Sequence, residues 1–473
     1  MNDVPSKFTA DRPRRDRASG GSLLRHPALA SFAFSAFLIV TQIGLKPQAL
    51  FGTIEGQLSV TQGGEGDMLK QVVYVVLCVL VMLINIVRNP RSVPVKLPLT
   101  MAIFAGWAWV SLCWSGFPDV GLRRLILMTI VLVTAFSVVQ SIGSKRALTI
   151  LATVSACILI ANLAAVAVLP GAIEQHDPFD MTSEAVATWR GLMIEKNGAG
   201  AVAAIQALIF MSIACSPGLR SGKRILWAVL LALDIVFVLG TGSKTSILIL
   251  LPAGLLAAGL TLISGNRLAA AAIVTAIITV VSLCIIVDPA IVSKSAIALR
   301  DLLNTPHALT GRVEIWLVAL RYIGDNFWLG AGYGSFWSVG FNGPVLRYTT
   351  GWILLQPNAH NGYLDLMLQL GVVGLILGVI AAFAVPLYNG IARPGIPAHA
   401  RWLILSVILF VTFHNFLEAT YFNRDNPSWV LFVVVVAILR SYPYRIDAVP
   451  KRRPRRISVT PDAFNGRFAS PRL

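Results

Sequence analysis

Long apolar runs separated by short polar turns dominate this chain. Ile247 to Ile263 holds one polar side chain, and Val430 to Leu439 holds none. A membrane helix needs roughly 20 mostly apolar residues. The hydrocarbon core cannot hydrate the backbone, so each crossing must be a helix or part of a closed barrel. Barrel strands alternate apolar and polar positions, and these runs are continuous instead. The pattern predicts an all-α, polytopic membrane bundle of about twelve spans. They lie near 28–45, 69–88, 98–115, 122–141, 147–170, 198–215, 224–241, 245–263, 267–287, 362–388, 402–420 and 427–440. The first run follows a basic segment but lacks a small-x-small cleavage site, so it reads as a retained helix. Three regions follow: a basic tail over 1–26, a membrane domain over 27–440, and a second basic tail over 441–473. Within the membrane domain, a long loop over about 288–361 separates the first nine spans from the last three.

Composition agrees with this reading. Only 13% of the 473 residues are charged and 56% are hydrophobic, where a soluble protein carries about 25% charged residues. The net charge is +17 and gathers in the tails, including the run Lys451-Arg452-Arg453-Pro454-Arg455-Arg456. Beside apolar spans such a run marks the cytoplasmic side and meets anionic lipid, rather than nucleic acid. The five cysteines, Cys78, Cys113, Cys157, Cys215 and Cys284, form no CxxC pair. They are expected to be small buried hydrophobes rather than a metal or disulfide framework.

Placing both termini in the cytoplasm puts Arg88, Arg91, Lys96, Lys145, Arg146, Arg220, Lys223, Arg224, Arg267, Arg393 and Arg401 in cytoplasmic turns. That satisfies the orientation rule for Lys and Arg. Several cations on the other face run against it: Arg123, Arg124, Arg190, Lys196, Lys244, Arg312 and Arg424. The same face carries the two long loops, about 171–197 and about 288–361, and long ordered loops are usually functional.

Three segments there offer chemistry. Thr310 to Trp316 opens an amphipathic helix, with Val313, Trp316, Leu317 and Leu320 on its apolar face and Thr310 or Gly311 as cap. Arg312 in its first turn suits an anion, since free N–H groups and the dipole attract one there. The other reading is an arginine lying at the membrane surface. Lys244 sits in Thr241-Gly242-Ser243-Lys244-Thr245-Ser246, where hydroxyls, N–H groups and one ammonium suit phosphate; the alternative is a snorkelling lysine beside a capping serine. His360 lies just before a long apolar helix. Its ordinary pKa suits a general base, and the helix dipole is expected to favour the neutral form. Gly371, Gly374 and Gly378 would let that helix approach a neighbour closely. Asp234 lies inside a span without an evident role.

Taken together, the motifs resemble the superfamily of O-antigen ligases and Wzy-type polysaccharide polymerases, particularly exopolysaccharide polymerization proteins of the succinoglycan type. The residues carrying the resemblance are His360-Asn361 followed by Gly371-x-x-Gly374, Gly311-Arg312 through Trp316 with Gly330-Ala331-Gly332-Tyr333-Gly334, Ser243-Lys244-Thr245, Trp189-Arg190-Gly191 with Lys196-Asn197, and Ser111 to Ser115 with Arg123-Arg124. The resemblance implies a fold related to the glycosyltransferase C superfamily, in a bacterial inner membrane. It implies a donor glycan on undecaprenyl pyrophosphate at the periplasmic leaflet, with a flippase and a chain-length regulator as partners. Arg312 and Lys244 would bind the pyrophosphate, with Arg190 and Lys196 assisting, and His360 would position or deprotonate the acceptor hydroxyl. Asn361, Glu314, Glu418 and Arg424 would support them, although Glu418 and Arg424 also read as an ion pair at a helix end. Ligases typically carry arginine where this chain has Lys244, which keeps the charge but loses the bidentate fork. No cofactor or metal is expected, and no Asp-x-Asp motif occurs. The expected function is polymerisation of the lipid-linked repeat units into exopolysaccharide at the periplasmic face; ligation of glycan to lipid A core or protein, secondary transport, and a non-catalytic scaffold are the alternatives.

Overall fold

The computed structural model describes residues 26–43, 68–88, 95–174, 187–266, 311–340 and 342–442, with parts of 268–279. Both basic tails, Thr310, Cys284 and most of the ninth expected span lie outside the described residues. Two helices, α1 (Pro27–Gln42) and α2 (Met68–Arg88), come first, and α3 (Leu99–Val110) runs into a 3-10 turn at Ser111–Cys113. Gly143, at φ 77°, joins α4 (Pro118–Ile142) to α5 (Ser144–Val168). A two-residue antiparallel ladder pairs β1 (Ile173–Glu174) with β2 (Thr188–Trp189) and leads into α6 (Lys196–Ala214), α7 (Ser221–Gly240) and α8 (Lys244–Leu262). The long loop contributes α9 (Arg312–Asp325) and two short 3-10 turns. Then α10 (Gly362–Val379) passes through a π turn into α11 (Val385–Ala392), followed by α12 (Ala398–His414) and α13 (Pro427–Ser441).

Among the described residues, six helices are long and apolar enough to cross a membrane: α2, α4, α5, α6, α8 and the α10–α11 rod. α1, α3, α12 and α13 are apolar but shorter. α7 has 20 residues and carries a fully buried Asp234. At the centre stands α13, which packs against α1, α4, α5, α6, α11 and α12. Every residue from Ser428 to Leu439 in it is buried. A helix apolar on all sides belongs in such a position. α2, α7 and α8 instead leave apolar stripes at the surface, such as Val72, Val75, Val76, Val79, Leu83 and Ile86 on α2. Lipid tails are as apolar as leucine, so close packing rather than the hydrophobic effect holds the central helices together. Cys113, Cys157 and Cys215 are exposed rather than buried as expected; they sit on outward faces.

Two expected spans differ from the helices observed. The run 402–420 stops being helical at His414. There Asn415 turns the chain: its Oδ1 accepts from Thr420 N at 3.0 Å and Tyr421 N at 2.9 Å, while its Nδ2 donates to Val411 O. The run 362–388 is broken at Gly371, which has φ 65° and ψ −170°. This corrects the expectation that Gly371 serves helix–helix contact. The segment 326–332 docks into the break instead: Ala331 N donates to Leu368 O, Gly332 N to Gln369 O, and Val372 N to Phe327 O, all at 2.8–2.9 Å. Trp107 Nε1 takes Leu370 O at 3.3 Å. The freed backbone groups are thereby paired, which broken helices at membrane depth require. Gly378 does fit the expected role, since a methyl there would press on Leu366, Phe104 and Phe422.

The ends of the bundle differ in charge. One end gathers the turns at Arg88, Gly143, Arg220 and 393–401, and among the described residues it carries no acid. Arg401 there donates to the carbonyls of Gly390, Ile391 and Arg393, capping α11, and Arg393 donates to Leu439 O and Tyr442 O, capping α13. The other end holds the long loop and the residues considered next.

Candidate active site

The long loop builds a small core of its own, with Ile315, Val318, Ala319, Tyr322, Ile323, Phe336, Trp337 and Ile353 packed together. Leu320, expected on the apolar face of α9, is 40% exposed. The buried face instead turns through Ile315 and Tyr322, toward Phe336. Gly311 caps α9 with φ 76°, a conformation that costs glycine little, and Trp352 lies against it. Arg312 thus begins the helix, while Glu314, two residues on, points to solvent.

His360 is held from several directions. Asn361 caps α10, accepting from Tyr363 N and Leu364 N, and its Nδ2 donates to Phe416 O. Gly362 N donates to the carbonyls of Asn415 and Glu418, fastening the start of α10 to the turn after α12. Trp316 Nε1 donates to Ala359 O at 2.9 Å. Asp365 Oδ1 accepts from Ala359 N and Trp337 Nε1, each at 2.9 Å. Under these constraints His360 adopts φ 47°, the left-handed region that side chains seldom occupy. Such strain persists only where surroundings over-determine it.

The side chains then meet. Arg312 Nη2 lies 2.5 Å from Glu418 Oε1, and His360 Nδ1 lies 3.2 Å from Glu418 Oε2. His360 Nε2 lies 3.3 Å from Gln356 Oε1. All three charged side chains are at least four-fifths buried. Burial opposes charge on His360, but the hydrogen bond and charge of Glu418 outweigh it and raise its pKa above 6.5. The direction is opposite to the expected influence of the helix dipole: the contacting carboxylate favours the charged ring. Burial also opposes charge on Glu418, yet His360 and then Arg312 hold its pKa below 4.5. When both ring nitrogens carry protons, Nδ1–H donates to Glu418 and Nε2–H to Gln356.

Other expected residues are placed differently. Lys244 opens α8 and is exposed, with no hydrogen bond or ion pair among the described residues. Three of the four hydroxyls around it are already engaged. Thr241 Oγ1 donates to Val238 O, Ser243 Oγ to Ser246 Oγ at 2.9 Å, and Ser246 Oγ lies 3.3 Å from buried His414 Nε2. Ser243 occupies the cap position of α8, but its side chain makes no cap bond. Through His414 this turn joins α12 four residues before Glu418. Gly200 in α6 packs on Ser243, which sets the start of α6 and Lys196 beside the same turn. Arg190 is buried and donates to Gly171 O at 2.6 Å and Ile194 O at 3.1 Å, so much of its guanidinium is spent on the backbone. Arg424 does not pair with Glu418. It lies beside Arg124, Tyr333 and Asp425, while Asp425 pairs with Lys70 at 2.8 Å. Arg124 is spent on the carbonyls of Gly334, Trp337 and Ser338.

Sequence reading missed Gln356, Asp365 and His414. His414 was visible as one of several polar residues, with Asn415 and Glu418, closing an otherwise apolar run. Intramembrane polar residues invite that suspicion. Neither carboxylate oxygen of Asp234 has a hydrogen-bond partner, and the structure assigns it no role.

The fold and this end of the bundle define a multi-pass helical membrane protein with a buried Arg–Glu–His contact, toward which the turn carrying exposed Lys244 is linked through His414. Residues 226–379 match a family model, Wzy_C, described as O-antigen ligase. Over that third of the chain the protein is similar to a family of membrane glycan ligases and polymerases. The matched segment includes Lys244, Arg312 and His360 and stops short of Glu418. No curated protein matches the chain.

Proposed function

We propose that this protein is an inverting, metal-independent membrane glycosyltransferase that polymerises polyprenyl-pyrophosphate-linked repeat units into exopolysaccharide. The observation that carries this reading is the meeting of His360 with Arg312 through one carboxylate. A proton acceptor and a fixed cation then share one site, beside Lys244. The end with the basic turns, which carries no acid among the described residues, supports a cytoplasmic placement under the orientation rule. The His360 end then faces the periplasm of a bacterial inner membrane, where lipid-linked donors are the available activated sugars.

In the reaction, the acceptor hydroxyl oxygen attacks the anomeric carbon, its proton passes to His360 Nε2, and the bond to pyrophosphate breaks with its electron pair leaving on phosphate. Arg312 and Lys244 neutralise that departing charge. Pyrophosphate is already a good leaving group, so orientation and charge stabilisation supply most of the rate. Arg190 and Lys196 are second-rank contacts in this scheme.

The description of the matching family favours a second reading of the same site, ligation of a finished glycan to another acceptor. The lipid-linked species that accumulates on deletion separates them: single repeat units for a polymerase, long chains for a ligase. His360→Ala and Arg312→Ala test the enzyme itself. A general base contributes about 10²–10⁴-fold, so each variant should all but abolish polymer at unchanged protein level. Normal polymer from both variants would refute the proposal and favour a transporter.

A further inference from the structure

Glu418 is bound differently from an ordinary surface carboxylate. Its two oxygens have different partners, Arg312 on Oε1 at 2.5 Å and His360 on Oε2 at 3.2 Å. Its backbone is fixed on both sides: Glu418 N donates to His414 O at 2.9 Å, and Gly362 N donates to Glu418 O at 3.1 Å. The carboxylate therefore stays at the join of α10 and α12 whichever partner it holds. Arg312, by contrast, sits at the first position of a helix whose far end leads into the loop core, and its side chain is 13% exposed. An incoming anion and Glu418 compete for the same donor.

We propose that Glu418 is a positioning residue with exchangeable partners: it holds Arg312 until an anionic donor group takes that guanidinium, and then acts on His360 alone. This rests on reading Arg312 as a pyrophosphate ligand. Glu418 keeps the Nδ1–H of His360 on its own oxygen, which leaves Nε2 to receive the acceptor proton. Gln356 Oε1 accepts from Nε2 only while that nitrogen carries a proton, so the ring must release it before each transfer. Withdrawal of Arg312 removes a positive charge from the carboxylate, and the carboxylate then raises the proton affinity of the ring further. Anion binding and base strength are coupled through one side chain. The charged groups facing His360 are Glu418, Arg312, Glu195 from the segment before α6, and Asp365 on α10; His414 faces Glu418.

The test uses the full-length protein in lipid nanodiscs, with inorganic pyrophosphate as probe in calorimetry and glycan transfer measured against pH. Glu418→Gln keeps the shape and removes the competitor. Pyrophosphate should then bind about tenfold tighter, the scale of one charge-assisted hydrogen bond. The maximal transfer rate should fall at least about tenfold, the lower end for loss of a group that orients the base. The acidic limb of the pH profile should move to lower pH, because only Glu195 and Asp365 then oppose burial and Arg312 at His360. Glu418→Asp, whose shorter arm cannot hold both partners, should bind pyrophosphate tighter than wild type by a smaller factor. A purely structural role predicts weaker or unchanged binding and an unmoved limb, and either result overturns the proposal. Should Glu418→Gln fail to fold, unchanged binding by Glu418→Asp overturns it equally. If Arg312→Ala binds pyrophosphate as wild type does, the reading of Arg312 as ligand fails, and the coupling with it. If Arg312→Ala weakens binding but the Glu418 variants do not tighten it, the coupling alone fails.

Discussion

Replacing Gly371 by alanine strikes at the element that holds the loop core against the bundle. At φ 65° and ψ −170° a side chain costs about 1–3 kcal/mol. The added methyl also meets the carbonyl of Trp328, a backbone group with no rotamer through which to escape. Relief requires moving segment 326–332, which breaks the bonds from Ala331 N, Gly332 N and Val372 N. Each is worth about 1 kcal/mol net, so with the strain the total comes to about 4–6 kcal/mol, the range of severe single substitutions. Gly259 in α8 is the control, because a methyl there meets nothing within 4 Å. Alanine at that site gains up to about 1 kcal/mol of helix propensity. Unfolding of the purified protein, followed by tryptophan fluorescence against temperature, should show Gly371→Ala melting several degrees below wild type and Gly259→Ala at or above it. Equal melting of the two variants would refute the account of the broken helix. Transfer activity should fall with Gly371→Ala even below its melting point, because Trp337 and Asp365 tie the docked loop to the peptide before His360.

Other outcomes follow from the same geometry. Asp365→Ala leaves Trp337 Nε1 and Ala359 N without their acceptor, a loss of about 2–5 kcal/mol; Asp365→Asn keeps an oxygen there and should lose little, as melting temperatures will show. Arg401→Ala uncaps α11 by removing bonds to the carbonyls of Gly390, Ile391 and Arg393, and should cost about 2–4 kcal/mol in the same assay while leaving pyrophosphate binding unchanged. The contact triad also sets a pH dependence of stability. The raised pKa of His360 contributes stability that is complete below 6.5 and lost as pH rises through its folded value. The lowered pKa of Glu418 contributes stability present above 4.5 and lost as pH falls through its folded value. Without anions, the triad's contribution is therefore complete between those values, and His360→Gln should flatten the alkaline side of a plot of melting temperature against pH.

The apolar runs were sufficient to place α2, α4, α5, α6 and α8, because a helix in lipid needs only length and the absence of charge. Chain order and the alternation of basic turns also placed Lys244, Arg312 and His360 toward one end. The apolar pattern alone could not show where 402–420 or 362–388 would stop being helical. Those breaks depend on Asn415 finding Thr420 and Tyr421, and on the loop at 326–332 finding the open carbonyls of Leu368 and Gln369. The partner of Glu418 was similarly hidden. Arg424 is its near neighbour in sequence, yet the left-handed turn at Phe422 and Arg424 carries that arginine to Arg124 and Tyr333. Arg312, 106 residues away, takes its place. The sequence by itself determined a helical membrane protein and the face that gathers its unusual cations, since both depend on the cost of moving each residue from water into lipid. Only the tertiary structure decided which cation meets which carboxylate, because that is set by how loops separated by whole helices come together.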